Sequence, residues 1–237
     1  MPETKAVLFD FGGTLFSYET TIPVRRERAV KLAQLIGHSE VDAVHVALHE
    51  GTRAAFNRVM RHPFYMHVDV MMEGVDNALG TLGAELTQTQ LDGFRDRTFL
   101  RGVSHAAPRP GMRTTLQAIR VRGIHLGGVS NADIGQFDAM IEMLDVRDIF
   151  HSLLCSEEAQ SCKPDPGIFH QALERAGCAP EEAVFVGDTP IADIEGAEAV
   201  GMRAVLIEET TDIAIDRGDP SIAKITIKEL PELLDLI

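Results

Sequence analysis

Short apolar runs punctuate this chain, each halted by a small, polar or acidic residue. Ala6 to Phe9 stops at Asp10, Gly12 and Gly13. Ile124 to Val129 leads into Ser130 and Asn131, Ser152 to Cys155 into Ser156, Ala183 to Val186 into Gly187 and Asp188, and Ala204 to Ile207 into Glu208. Runs of this length bounded by turn residues read as buried strands. Between them the apolar positions recur at helical spacing, over Met112 to Arg122, Ile134 to Leu144, Ile168 to Ala176 and Ile191 to Val200. Strand and helix therefore alternate. That pattern predicts an α/β fold, a doubly wound, Rossmann-like parallel sheet whose site lies at the carboxyl ends of its strands.

One long stretch breaks the alternation. Val24 to Ile36, Val41 to Met60, Val68 to Leu82 and Gln88 to Leu100 all carry helical spacing with no strand pattern between them, and Gly37, His62-Pro63 and Gly83 separate them. Pro108, Pro110 and Gly111 mark the return to alternating elements. The expected organisation is a core domain of residues 1–15 and 108–237 interrupted by an all-helical insertion of residues 16–107. The tail from Ile225 to Ile237 adds a short strand and a closing helix, with the helical pattern over Glu229 to Leu236.

Composition narrows the function. With 237 residues and 45% hydrophobic positions the chain can bury a sizeable core. A formal net charge of -14 repels nucleic acid and anionic membrane surfaces, so neither is an expected partner. A small anionic substrate then needs a metal ion or a few placed cations. Three cysteines, Cys155, Cys162 and Cys178, lack the spacing of a disulfide framework. The N-terminal segment is too short and wrongly flanked for a signal peptide or a membrane span. A cytoplasmic protein, monomer or homodimer, is expected.

The chemistry-bearing residues sit where the strands end. Asp10-Phe11-Gly12-Gly13-Thr14 puts a carboxylate before a turn whose glycines let backbone amides approach an anion. Such an Asp can attack phosphorus and form an acyl phosphate, or it can simply end a strand; the segment alone weighs both equally. Asp188 and Asp193, five residues apart across a turn, call for a cation, and Mg²⁺ bridging carboxylates to a phosphate is the natural one. Asp193 is also well placed to be a first-turn helix acid. Ser130, Asn131 and Lys163 follow core strands and can hold phosphate oxygens, although each alone reads as an ordinary turn or loop residue.

Taken in order, these positions resemble the haloacid dehalogenase superfamily, through Val7-Leu8-Phe9-Asp10, Ser130, Lys163-Pro164-Asp165-Pro166 and Val186-Gly187-Asp188. The helical insertion resembles that family's C1-type cap of subfamily I. The resemblance implies a Mg²⁺-dependent phosphohydrolase that cleaves a small phosphorylated metabolite through an aspartyl-phosphate intermediate. It implies that Asp10 is the nucleophile and that Asp10, the Gly12 carbonyl and Asp188 bind the metal, with Asp193 supporting them from behind. Thr14, Ser130, Asn131 and Lys163 would organise the phosphate and the nucleophile.

One departure matters. Phosphatases of the family usually carry a second Asp two residues after the nucleophile, as general acid and base, and here that residue is Gly12. A metal-independent haloacid dehalogenase, which needs no such acid, and a catalytically impaired phosphate-binding or regulatory protein are the alternatives. Aryl or acyl phosphates, whose leaving groups depart as stabilised anions, are the esters such a site would favour. Tyr18, Glu19, Arg25 and Arg26 are candidates to enter the cleft, and a cap side chain such as Glu19 or a histidine is the candidate to stand in for the missing acid. His62, His67, His151 and His170 read better as packed or surface residues, and Cys162 as a structural thiol.

Overall fold

In a computed structural model the chain is described over residues 3–101 and 106–237, with 96–101 as backbone only. Strand β1 (Ala6–Phe9) is followed by helices α1 (Ile22–Ile36), α2 (Val41–Val59), α3 (His67–Leu82) and α4 (Gln88–Arg101). Then come α5 (Met112–Val121), β2 (His125–Ser130), α6 (Ile134–Leu144), β3 (Ser152–Cys155), α7 (Ser156–Ala159), α8 (Pro166–Ala176) and β4 (Ala183–Gly187). The chain closes with α9 (Gly196–Ala199), β5 (Arg203–Ile207) and β6 (Thr226–Ile227).

The six strands form one sheet in the order β3-β2-β1-β4-β5-β6, and every pairing is parallel. Successive residues of a strand face opposite sides, so one four-residue strand serves two cores. Val7 and Phe9 join Leu126, Val184 and Val186 on one face, against α5 and α6. Ala6 and Leu8 join Leu154, Phe185 and Leu206 on the other, against α8 and α9. Both faces are covered, which is why the strands read as continuous apolar runs.

The order places β1 between β2 and β4. The chain steps outward from β1 to β3 and then returns to β4, so the crevice at the carboxyl ends of β1 and β4 is the switch point where ligands bind in open α/β sheets. Asp10 follows β1 directly, its amide donating to the Val186 carbonyl at 2.9 Å, and Asp188 follows β4.

Helices α1 to α4 have a core of their own, built from Leu32, Val44, Leu48, Val75, Leu79 and Phe94 among others. Phe16 bridges Pro108 in antiparallel fashion, and Arg109 N–H donates to the Leu15 carbonyl at 2.8 Å. The chain thus leaves and re-enters the sheet domain side by side. The expected insertion of residues 16–107 includes 102–105, which lie outside the described residues. Among the described residues, no helix is long and apolar enough to cross a membrane.

Two elements differ from their sequence patterns. The helix expected over Ile191 to Val200 starts as a wide π turn, Pro190–Glu195, and becomes α-helical only at α9. Pro190 brings no N–H to the first turn, and Asp193 Oδ2 accepts from Thr189 N–H at 2.9 Å, which holds the widened turn with Asp193 pointing inward. The closing helix is a 3₁₀ segment, Leu230–Asp235, with Pro231 in its first turn and Glu232 accepting from Lys228 and Glu229 N–H.

Candidate active site

The site is assembled from three strand ends and one loop. Asp10 and Asp188 come from the switch-point strands, Ser130 from the end of β2, and Lys163 from the loop before α8. All four are buried. Lys163 Nζ lies 2.7 Å from Asp10 Oδ1 and 2.7 Å from Asp193 Oδ1, so a single ammonium joins the first and last acids of the sequence pattern. Asp10, Asp188 and Asp193 offer carboxylate oxygens that all lie within 4.8 Å of one another.

The electrostatics follow from burial. Burial pushes the Asp10 carboxyl up to about 6, against the pull of the Lys163 ammonium. Burial, and then the charges of Asp10 and Asp193, push Asp188 well above the usual carboxylate range. Burial would lower the Lys163 ammonium, but Asp10 and Asp193 together hold it above its ordinary value. Three acids therefore face one ammonium and the Arg217 guanidinium, whose Nε stands 3.3 Å from Asp188 Oδ2 without hydrogen-bond geometry. Asp188 Oδ2 has no hydrogen-bond partner among the described residues.

That unsatisfied buried oxygen, within an oxygen-only donor set of excess negative charge, fits a hard divalent cation. Asp193 is less free to act as a ligand, because Oδ1 takes Lys163 and Oδ2 takes Thr189 N–H.

The glycines after Asp10 have separate tasks. Gly13 adopts φ +79°, and a Cβ there would run into the Asp188 carboxylate, so only glycine lets the turn pass beneath that side chain. Its carbonyl accepts from Arg109 Nε and Nη2 at 3.0 and 2.6 Å. At Gly12 a Cβ would fall inside contact distance of the Tyr18 hydroxyl. Tyr18 thus occupies the space that a longer side chain at position 12 would need. Burial, followed by the charges of Asp188 and Asp10, pushes the Tyr18 phenol well above its ordinary value, so it is a donor and a very weak acid.

The expected phosphate-organising residues are brought together, with one surprise. Thr14 Oγ1 lies 3.3 Å from Asp10 Oδ2, and Ser130 lines the cavity beside it. Asn131, however, spends its amide on the backbone of the lysine loop: Nδ2 donates to the Lys163 carbonyl at 2.8 Å, and Oδ1 accepts from Lys163 N–H at 2.7 Å. It holds Lys163 in place.

Other residues gave no sequence signal. Asp133 Oδ1 and Oδ2 accept from His67 and Val68 N–H at 2.8 and 2.7 Å, capping α3 from the opposite side of the crevice. The segment after β5 reaches across as well. Asp212 meets Arg25 through its carbonyl and Arg53 through its carboxylate, and Ile215 packs with Phe56, Val59 and Val70.

Tyr18 and Arg25 do line the cavity, whereas Glu19 and Arg26 do not. His67 lines it too, although it read as a packing residue. It is buried against Phe56 and Tyr65, and burial, with Lys163 nearby, lowers its imidazole to about 4, leaving it neutral at neutral pH. Burial pushes the Cys162 thiol up, as suits a structural residue.

Comparison with known proteins agrees with this geometry. Residues 4–201 match the haloacid dehalogenase-like hydrolase family. The chain is 30% identical over 240 residues to glyceraldehyde 3-phosphate phosphatase of Methanopyrus kandleri, covering 98% of this chain and 97% of that protein. A crystal structure of a HAD phosphatase from Thermococcus onnurineus superposes with a TM-score of 0.69 at 26% identity, covering 98% and 97% of the two chains. A 2-haloacid dehalogenase from Pseudomonas syringae superposes with a TM-score of 0.66 at 25% identity, over the same shares. One fold therefore carries both chemistries, and the site must decide between them. With its matching family region, its strand order and its strand-end residues, this chain belongs to the haloacid dehalogenase-like hydrolases.

Proposed function

We propose that the protein is a Mg²⁺-dependent phosphohydrolase of small organic phosphates, with Asp10 as the nucleophile. The carrying observation is the buried cluster in which Lys163 joins Asp10 to Asp193 while Asp188 faces both with an oxygen that accepts no hydrogen bond among the described residues. Asp10, the Gly12 carbonyl and Asp188 would hold the metal, and Asp193 would fix Lys163. The metal, when bound, supplies positive charge against which the phosphoryl oxygens and Asp188 are neutralised. Lys163, Thr14 and Ser130 hold the phosphate in line, and Asp10 Oδ attacks phosphorus. Asn131 acts through Lys163.

Residues 16–107 are proposed as a C1-type cap of the subfamily I kind, a reading supported by their separate helical core and by the paired exit and return at Phe16 and Pro108. The relatives named for glyceraldehyde 3-phosphate support a small phosphorylated metabolite as substrate. The dehalogenase reading draws support from Gly12, but it leaves the charge of the Asp188 and Asp193 pair without a purpose.

The test is phosphate release from a panel of phosphate monoesters, with Mg²⁺ and with EDTA, alongside halide release from halocarboxylates. Asp10→Asn should lose phosphate release and the ability to bind beryllium fluoride. Near-parent turnover in that variant, or EDTA-resistant halide release by the parent, overturns the proposal.

A further inference from the structure

Resting on that phosphohydrolase reading, we propose that the substrate is an aryl phosphate, the phosphate monoester of a phenol, whose ring lies in the cavity between the Asp10 crevice and helices α1 to α3. Three observations converge on it, and they come from different parts of the molecule.

The first is what the cavity lacks. Its volume is 290 Å³, and the carboxylic acids among its lining residues are Asp10, Asp188 and Asp193, which serve the nucleophile, the cation and Lys163. Of the histidines that line it, burial lowers His45 and His67, and His49 Nε2 lies 2.8 Å from Arg53 Nη2 and 3.3 Å from Asp212 Oδ2. Position 12 offers no carboxyl. An alkoxide leaving group needs a proton, and a general acid is typically worth ~10²–10⁴-fold in rate. A phenolate leaves without one.

The second is what stands there instead. Tyr18 fills the space beside Gly12, and Arg25, also lining the cavity, has a buried Nε with no hydrogen-bond partner among the described residues. A phenol donor and a fixed guanidinium stabilise a departing anion electrostatically without transferring a proton to it. A guanidinium also attracts the face of an aromatic ring.

The third is the wall. Met60, Met71, Met72, Val75, Phe56 and Ile215 line the cavity. Thioether side chains adapt to aromatic rings and make favourable sulfur–ring contacts. Thr52, Gln136 and His67 also line the cavity, with Gln136 Oε1 and His67 Nδ1 lacking a hydrogen-bond partner among the described residues, so a polar substituent on the ring would find partners there. At 290 Å³ the cavity falls just below the ~300–1,000 Å³ usual for small-molecule sites, which suits a phosphate with a small ring system.

The reaction balances without an added acid. Asp10 Oδ forms a bond to phosphorus as the bond from phosphorus to the aryl oxygen breaks, and the electron pair leaves on the phenolate, which takes its proton from solvent. Water then attacks the aspartyl phosphate, releasing inorganic phosphate and the Asp10 carboxylate.

The experiment compares kcat/KM, with Mg²⁺ present, for phenyl phosphate, 2-naphthyl phosphate, hexyl phosphate and glyceraldehyde 3-phosphate. Hexyl phosphate is the control that suits the apolar wall but leaves as an alkoxide. Phenyl phosphate should exceed hexyl phosphate by about 100-fold or more, the lower bound for a missing general acid. Met72→Gln and, separately, Met60→Gln should raise KM for phenyl phosphate about three- to tenfold, the loss expected from a sulfur–ring contact, and narrow its advantage over glyceraldehyde 3-phosphate. Equal or faster turnover of hexyl phosphate or glyceraldehyde 3-phosphate overturns the aryl assignment and leaves the phosphohydrolase standing. Absence of phosphate release from every ester, with no beryllium fluoride binding, overturns both.

Discussion

Replacing Asp188 by Asn should make the metal-free protein more stable and remove its response to Mg²⁺. The side chain is buried, its Oδ2 lacks a hydrogen-bond partner, and its nearest acids raise its pKa further. A carboxyl whose folded pKa lies above its unfolded value destabilises the fold increasingly as pH rises from the unfolded pKa to the folded one, and fully above it. Asn removes that charge at nearly the same shape. The opposing loss is the attraction of Arg217, which stays anchored by hydrogen bonds to the Glu209 and Thr211 carbonyls. Replacing a buried carboxylate crowded by two like charges with a neutral amide relieves about 1–3 kcal/mol, so a net gain of roughly 1–2 kcal/mol is expected at pH 7 in EDTA. Urea unfolding of parent and variant at pH 7 and pH 4.5 measures it. The gain should shrink at the lower pH, where the parent's Asp188 is protonated, and Mg²⁺ should stabilise the parent alone. A variant that is less stable than the parent in EDTA at pH 7 refutes the reasoning.

Two further substitutions test the surroundings. Asp133→Ala leaves His67 and Val68 N–H without an acceptor, so a loss of about 1–2 kcal/mol, the upper range for a helix cap, is expected from urea midpoints, and a midpoint equal to the parent's removes that role. Gly12→Asp drives its new side chain into Tyr18 and should cost roughly 1–3 kcal/mol by overpacking, with Tyr18→Ala restoring much of it in the same background; thermal unfolding that leaves Gly12→Asp as stable as the parent shows that Tyr18 yields freely.

The sheet was legible because it is buried on both faces. Runs such as Ala6 to Phe9 had to be apolar throughout, and the acid or glycine that stops each run marks the strand end. The four inserted helices were legible because each carries a helical stripe and three glycines or prolines separate them. The start of the segment after β4 was misread. Its apolar spacing is helical, yet Pro190 and the pull of Lys163 on Asp193 widen the first turn, and no local propensity encodes a pull from a residue 30 positions away.

The same limit separates the parts of the site that were foreseen from those that were not. Asp10 and Asp188 announce themselves because each follows a strand end directly, and the switch point then brings them together; Lys163 and Asp193 stand out only through their order along the chain. Asn131 stands in the right place for a phosphate ligand, but whether its amide faces the substrate or the lysine backbone depends on a loop 32 residues downstream. Arg217, Asp212 and Ile215 lie in a segment with no helical or strand pattern, and their roles arise only because it crosses back over the crevice. Tyr18 is the sharpest case. In the sequence Gly12 reads as a missing acid, a deletion of function; in the fold its vacated volume is taken by the phenol of a residue six positions on, which changes the question from what was lost to what replaced it. With Tyr18 where it stands, a carboxyl at position 12 would collide with its ring. The pair has to be read, and mutated, together.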